Sequence, residues 1–134
     1  MRTPVDVVAL RQLVQPASAH RSAGTVDTAL PVDELLAPLL PWPGLRPGAV
    51  LSVERSIGAT SLLLALIARA SAAGSWTGVI GRPDLGIVAA HELGVEVARL
   101  VLVPDPGQEP LTVVDALASG MDIVIAAGLD RAPA

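Results

Sequence analysis

The amino-acid sequence predicts an α/β protein, with a doubly wound, mainly parallel sheet and helices on both faces. From residue 49 onward, apolar runs of strand length alternate with segments of helix length. The strand-length runs are almost continuous Val, Ile, Leu and Ala without alternating polar residues, which is typical of parallel strands covered on both faces. The segments between them are long enough for right-handed helical crossovers.

A helix and a linker are predicted ahead of this core. Residues 5–14 have apolar residues close to helical spacing, and Pro16 ends the pattern. These apolar residues are Val7, Val8, Leu10, Leu13 and Val14. Residues 17–29 are rich in Ser, Ala, Thr and Gly without a sustained period, which suits a linker. We therefore expect residues 1–29 to form an N-terminal helix and linker, and residues 30–134 to form the core.

The core is predicted to begin with a short apolar stretch, residues 32–40, and a turn rich in Pro and Gly, residues 41–48. Strands are then predicted at Ala49–Val53, Trp76–Ile80, Leu100–Val103 and Ile123–Ala126. Helices are predicted at Gly58–Ala73, Gly86–Leu93 and Glu109–Ala118. The last strand is apolar enough to be buried, but no helix follows to cover it. We therefore expect a core that is truncated at its carboxyl-terminal end.

Composition excludes several classes of function. The 134 residues suit one domain, and the absence of Cys excludes disulfides and thiolate metal sites. All nine basic residues are scattered Arg and the net charge is −4, which argues against direct binding to nucleic acid. The longest strongly apolar run, Ser61–Ala73, contains Arg69 and is too short to span a membrane. With no secretory signal either, we expect a cytoplasmic protein.

One turn has the spacing of a nucleotide-phosphate loop but lacks its chemistry. A Walker A loop reads Gly, four residues, Gly, Lys, then Ser or Thr, so that bare N–H groups and the Lys hold the phosphates and the hydroxyl holds magnesium. Here Val53 replaces the first Gly and Ala59 replaces the Lys, in a chain without any lysine. The carboxylate of Glu54 would also repel a triphosphate.

Two interpretations of this turn follow. The favoured one is an ordinary strand-to-helix turn with no bound cofactor. The other is a vestigial phosphate loop, made of Val53, Gly58, Ala59 and Thr60, that accepts an anion through N–H groups at the start of the helix.

The Walker B position is also altered. In nucleotide hydrolases of this type an Asp at the end of a later strand binds magnesium, but Ala127 stands there in this chain. Asp122 precedes that strand and is interpreted as a solvated turn residue. No catalytic residue, metal or cofactor is therefore predicted.

Residues 30–129 resemble the core of RecA-like proteins. Among RecA-like proteins the ImuA group is the most similar, and within that group the actinobacterial ImuA′ form. Two stretches carry the resemblance, LPWPGLRPGAVLSVERSIGATSLLLALIARASAAG and PDLGIVAAHELGVEVARLVLVPDPGQEPLTVVDALASGMDIVIAA. The most specific matches are Leu93-Gly94-Val95, Pro104-Asp105, and the run from Ala116 through Gly120 into the last strand.

The resemblance implies a RecA-like pseudo-ATPase. At the position of the catalytic Glu of active members the chain has Arg82 or Pro83, depending on where a gap of one residue is placed. The position of the Tyr that stacks on adenine is Ala89. Together with the loop changes, these departures remove the groups that bind phosphate, magnesium, water and base.

The function implied is that of an accessory protein in DNA damage-induced mutagenic translesion synthesis, part of the SOS response. Its main partner would be ImuB, a catalytically defective Y-family polymerase paralogue. An error-prone C-family polymerase would join indirectly, and RecA or a second copy of this chain would be a further partner through the N-terminal helix. Such a protein would be cytoplasmic and associate with the nucleoid after DNA damage.

Two other functions remain open. One is a SulA-like inhibitor of cell division, which would bind the tubulin-like division protein and also lacks nucleotide chemistry. The other is an ATPase with an atypical site, which would hydrolyse ATP despite the missing groups.

The candidate partner contacts are Val7, Leu10, Leu13 and Trp42. The N-terminal helix is either an arm that docks on a neighbour or a core element of its own domain. Trp42, between two prolines, and Trp76 are each interpreted as core anchors, with an exposed contact as the alternative for Trp42. His20 and His91 are predicted surface residues. Asp105 either forms a turn or lies at a ligand-binding strand end.

Overall fold

The computed structural model describes residues 29–129, which contain a three-stranded parallel sheet. The strands are β1 (Thr77–Ile80), β2 (Leu100–Val103) and β3 (Ile123–Ala126), in the order β2-β1-β3. All residues of the central strand β1 are buried, whereas β2 and β3 are partly buried. The α/β class and the parallel direction of the strands are therefore confirmed.

Three α-helices accompany the sheet: α1 (Ala59–Ala72), α2 (Ile87–Glu92) and α3 (Pro110–Gly120). Pro110 occupies the first turn of α3, where its missing N–H costs no helical hydrogen bond. Residues 29–129 also contain two short 3₁₀ helices, Ala37–Leu39 and Val97–Arg99, and an isolated antiparallel bridge between Leu30 and Leu45. Each of the three predicted helices is present, with ends that differ by two residues at most.

The helices cover both faces of the sheet. Because side chains alternate along a strand, Ile123 and Ile125 of β3 face one side, and Val124 and Ala126 face the other. On the first side a core cluster joins the sheet to α1 and α2; its buried members are Leu64, Ile67, Ala90 and Val95. On the second side a cluster joins the sheet to α3; its buried members are Ile80, Val114 and Leu129. The sheet is thus the middle of three layers.

The register of the sheet is visible at the beginning of the central strand. Thr77 pairs with Leu100 of β2 and with Ile123 of β3. Just before the strands, the Trp76 N–H donates to a carboxylate oxygen of Asp122 at 2.8 Å, and the Asp122 N–H donates back to the Trp76 carbonyl at 3.0 Å. Asp122 is exposed as predicted, and it also ties the beginnings of β1 and β3 together.

The predicted strand at Ala49–Val53 is wrong. This segment has no regular secondary structure. Its Ala49 N–H donates to the Arg46 carbonyl at 3.1 Å, and the segment makes no other hydrogen bond within residues 29–129. An apolar run becomes a strand only when a neighbour pairs with its backbone, and sequence alone predicts the apolar run but not the neighbour.

The two tryptophans are not core anchors. Strand β1 begins after Trp76, whose side chain is 40% exposed and lies under the Arg99 guanidinium at 5.5 Å. Trp42 is half-buried, with the Arg46 guanidinium 6.0 Å from its ring centre. Both rings therefore combine a partly exposed surface with an arginine neighbour.

The predicted N-terminal helix and linker lie outside the described residues, as do Val7, Leu10, Leu13 and His20. The last five residues, 130–134, lie outside them as well. Across 29–129, every helix is too short or too polar to cross a bilayer.

Candidate functional site

The phosphate-loop-like turn leads directly into α1. Gly58 has a left-handed backbone conformation, φ 88°, and α1 begins at the next residue. The Ala59 N–H donates to the Ser56 carbonyl at 3.2 Å, and the Leu62 N–H donates to the Gly58 carbonyl at 2.9 Å. The helical half of the predicted strand-to-helix turn is therefore confirmed, while the strand before it is absent.

The tip of the turn is open to solvent. Residues 54–58 are all exposed, and the Ile57 side chain is fully so. The N–H group of Ala59, which belongs to the predicted anion-binding loop, already donates to a backbone carbonyl. An anion approaching this tip would also meet the carboxylate of Glu54, which weakens the vestigial-loop interpretation.

An arginine closes the inner side of the turn. Arg82 follows β1, and its Nη2 donates a hydrogen bond to the Thr60 hydroxyl oxygen at the start of α1. The same guanidinium pairs with both carboxylate oxygens of Asp84, with Nε–Oδ1 and Nη2–Oδ2 distances of 3.2 Å. Only 19% of the Arg82 side chain is exposed, against 70% for Asp84. A positively charged group thus contacts the hydroxyl that would hold magnesium in a Walker A loop.

Gly81 directs Arg82 into this position. Its φ is +76°, and its N–H donates to the Val103 carbonyl at 2.9 Å. A Cβ at residue 81 would lie 2.0 Å from the carbonyl oxygen of Ala127, so that only glycine fits. The Ala127 N–H in turn donates to the Ile80 carbonyl at 3.0 Å. The Walker B position therefore lies in tight backbone contact with the end of β1.

The space behind Arg82 is small and apolar. It is lined by Thr60, Leu63, Leu64, Val79, Arg82, Leu85 and Ile125. It has room for roughly one water molecule. Neither a phosphate chain nor a nucleoside fits there in this conformation.

The other candidate residues do not converge on a site. Pro83, Ala89 and His91 are all exposed, which confirms the surface position predicted for His91. Asp105 is exposed and one of its carboxylate oxygens accepts the Gly107 N–H at 3.0 Å, which confirms the turn-forming interpretation. Within the described part of the chain, no group of three or more His, Cys, Asp or Glu residues could hold a metal ion.

Sequence reasoning missed the contact between Arg82 and Thr60. It treated Arg82 only as the residue that replaces a catalytic Glu. The sequence does contain a signal, because Gly81-Arg82-Pro83-Asp84 places an arginine two residues before an aspartate, immediately after a strand. That spacing allows the bidentate pair, but the partner twenty-two residues away is set by the tertiary structure.

Comparison with known proteins identifies the family of this chain. Residues 38–134 match the family described as MT3502 N-terminal domain. The chain is 46% identical over 81 residues to the uncharacterized protein Rv3395c of Mycobacterium tuberculosis (strain ATCC 25618 / H37Rv), an alignment that covers 60% of this chain and 38% of that protein. The chain therefore spans well under half the length of this relative. No solved structure matches. With about three quarters of its length matched, the chain belongs to the MT3502 N-terminal domain family.

Proposed function

We propose that this chain is a catalytically inactive, RecA-like accessory protein of a DNA damage-induced mutagenic translesion synthesis complex. It acts through contacts with ImuB, which in turn works beside an error-prone C-family polymerase. The proposal rests on the resemblance of residues 30–129 to the ImuA group. The mycobacterial origin of the relative supports this proposal, because that origin is consistent with an actinobacterial ImuA′ form.

The observation that carries the inactive assignment is the guanidinium of Arg82 on the Thr60 hydroxyl. A magnesium ion at Thr60 would have to displace this hydrogen bond and would be repelled by the arginine charge. The phosphate-binding lysine is absent as well, since the chain contains none. Loss of one group that stabilises a transition state commonly costs about 100-fold or more in rate, and several such groups are missing here.

The sheet supports the RecA-like part of the proposal. A RecA-like core needs parallel strands that are covered by helices on both faces, and β1, β2 and β3 with their two core clusters meet that requirement. We further propose a cytoplasmic location, with recruitment to the nucleoid through ImuB after DNA damage. Neither ATP turnover nor direct binding to DNA is required for this role.

Trp42 is the candidate contact within the described residues. Its ring is half-buried beside Arg46, so one part of it stays available to a partner. Tryptophan and arginine are the residue types most often found at the energetic centre of protein interfaces. Trp76 with Arg99 is a matched control, because it has the same pair of residue types on another part of the surface.

Binding of the purified chain to purified ImuB tests the proposal, with the tubulin-like division protein as the control partner. We expect binding to ImuB alone. We also expect Trp42→Ala to weaken that binding by about tenfold or more, and Trp76→Ala to change it by less than about twofold. Binding to the division protein instead would support a SulA-like function, and binding to neither would refute the proposed contact.

A further inference from the structure

Two exposed leucines lie together on the first helical turns of the described part of the chain. Leu35 is 86% exposed and Leu39 is 71% exposed, whereas Leu36 and Leu40 are half-buried. Residues four apart in a helical turn are neighbours on its surface, so Leu35 and Leu39 form one apolar patch, which we call the leucine pair. Single exposed apolar side chains are common, but adjacent ones indicate a surface that another element covers.

The leucine pair belongs to a part of the domain that is anchored by several contacts. The Leu35 N–H donates to a carboxylate oxygen of Asp33 at 2.9 Å. The other carboxylate oxygen of Asp33 pairs with the Arg69 guanidinium of α1 at 3.4 Å. Just before this turn, Leu30 and Leu45 exchange two backbone hydrogen bonds of 2.8 Å in an antiparallel bridge. These contacts place the leucine pair near the carboxyl-terminal end of α1.

A stripe that fits this patch is predicted in residues 5–14, ahead of the described residues. At about 100° per residue, an α-helix over this segment places its apolar stripe in an arc of about 120°. The stripe contains Val7, Leu10, Leu13 and Val14. A helix of this length is marginal in water by itself, so it needs a second apolar surface against the stripe.

The chain itself brings the two surfaces together. Residues 15–28 connect the stripe to Ala29, and Leu35 follows six residues later. A linker of this length spans about 20 Å on average, and it holds the stripe near the leucine pair at an effective concentration on the order of millimolar. A contact of modest area can therefore form within one chain, although it would be too weak between separate chains in dilute solution.

The charges on the two sides of this contact are opposite. Residues 1–28 contain three Arg and two Asp, whereas residues 29–40 contain two acidic residues and no basic one. Arg11 lies at the margin of the stripe, and Glu34 directly precedes Leu35. Arg11 and Glu34 therefore have complementary charges when the stripe covers the leucine pair.

We infer that residues 5–14 form a helix that docks on the leucine pair of the same chain. The stripe then buries both leucines and gains the apolar contact that a short helix needs. This assigns the N-terminal segment to its own domain, and not to an arm that docks on a neighbour. The inference is independent of the proposed function, because it involves neither Trp42 nor the turn at residues 54–58.

Paramagnetic relaxation, measured by NMR on the whole chain, tests the docking. Because the chain contains no Cys, Gln12→Cys provides a single attachment site for a nitroxide, on the side of the predicted helix opposite the stripe. We expect loss of the methyl signals of Leu35 and Leu39. Those of Val88 should persist, since this matched control is also 71% exposed but lies in α2, at the carboxyl end of the sheet. Persistence of the leucine signals, or equal loss at all three residues, would overturn the inference.

Hydrogen exchange in matched variants tests whether the leucine pair is the docking surface. We expect the amides of residues 9–14 to exchange about tenfold or more slowly than those of an unstructured chain. Replacement of both leucines, Leu35→Ser with Leu39→Ser, should abolish this protection, whereas Val88→Ser should leave it unchanged. Protection that survives in the double variant would refute the inference. If the double variant unfolds, the spin-label result in the chain with intact leucines decides.

Docking on a second copy gives a different result. A mixture of spin-labelled chain without isotopes and isotope-labelled chain without the nitroxide reports only contacts between chains. We expect the methyl signals of the leucine pair to persist in this mixture. Their loss would overturn the inference and show that the helix docks on a neighbouring copy.

Discussion

Replacement of Gly81 by alanine is expected to destabilise the protein far more than the same replacement at Gly107. The two glycines share one backbone conformation, since φ is +76° at both. They differ in their surroundings. A Cβ at residue 81 would lie 2.0 Å from the Ala127 carbonyl oxygen and 2.9 Å from its carbon, whereas a Cβ at residue 107 would meet nothing within 4 Å.

The expected magnitudes follow from this difference. A left-handed conformation costs a residue with a Cβ about 1–2 kcal/mol, and both variants bear that cost. At Gly81 the new atom overlaps backbone, which cannot rotate away as a side chain would, so β1 and the Ala127 segment must separate. Overpacking of this kind adds about 1–3 kcal/mol. We expect the free energy of unfolding to fall by about 2–5 kcal/mol for Gly81→Ala and by about 1–2 kcal/mol for Gly107→Ala.

Urea unfolding of both variants, followed by circular dichroism, measures these free energies. Loss of up to about 5 kcal/mol is a large part of the 5–15 kcal/mol that is typical of a domain, so the Gly81 variant should be marginally folded. For a chain of 134 residues, each kcal/mol lowers Tm by about 4 °C, where the ranges for smaller and larger domains meet. Equal losses for the two variants would refute the close approach of Gly81 to Ala127.

Three further replacements test the sheet. The Thr77 hydroxyl is buried without a hydrogen-bond partner among residues 29–129. Thr77→Val should therefore raise the free energy of unfolding by about 1 kcal/mol, and a decrease would show that the hydroxyl has a partner. A Cβ at Gly78 would lie 2.9 Å from Leu117 Cδ1, a terminal methyl that can rotate away, so Gly78→Ala should change the free energy of unfolding by less than about 1 kcal/mol in the same urea assay; a larger loss would show that Leu117 cannot move. Asp122→Ala removes the acceptor of the Trp76 N–H and should lower Tm, with exchange of the Trp76 amide accelerated; an unchanged amide would exclude this hydrogen bond.

The sequence predicted those elements whose side-chain pattern is sufficient by itself. The bounds of β2 and β3 are correct to the residue, because each is a short apolar run between turns. The three helices were found because their apolar residues follow a helical period and their ends coincide with Gly or Pro. The α/β class followed from the alternation of these two kinds of segment.

The features that were missed depend on distant partners. Ala49–Val53 has the composition of a strand, but a strand also needs a neighbour that pairs with its backbone, and no pattern within the segment predicts whether such a neighbour is present. The guanidinium of Arg82 reaches Thr60 because Gly81 turns the backbone and α1 begins nearby. For Trp76, apolar character suggested the core, yet its place one residue before β1 leaves the ring against Arg99 at the surface.

The candidate site shows the same division between local and distant information. The sequence contains no lysine, and it has Ala59 in the loop and Ala127 at the end of β3. These features predicted a turn without nucleotide chemistry. The structure adds the group that occupies the turn instead, which is the Arg82 and Asp84 pair. The sequence shows which residues of a Walker A loop are missing. Only the structure shows which side chains contact the turn in their place.

Calorimetric titration of ImuB into the purified chain, with and without excess magnesium ATP, tests the central proposal most directly. An inactive accessory protein that binds no nucleotide should bind ImuB with a Kd that changes by less than about twofold on addition of the nucleotide. Absence of binding to ImuB, or an affinity that depends on ATP by about tenfold or more, would contradict the proposal.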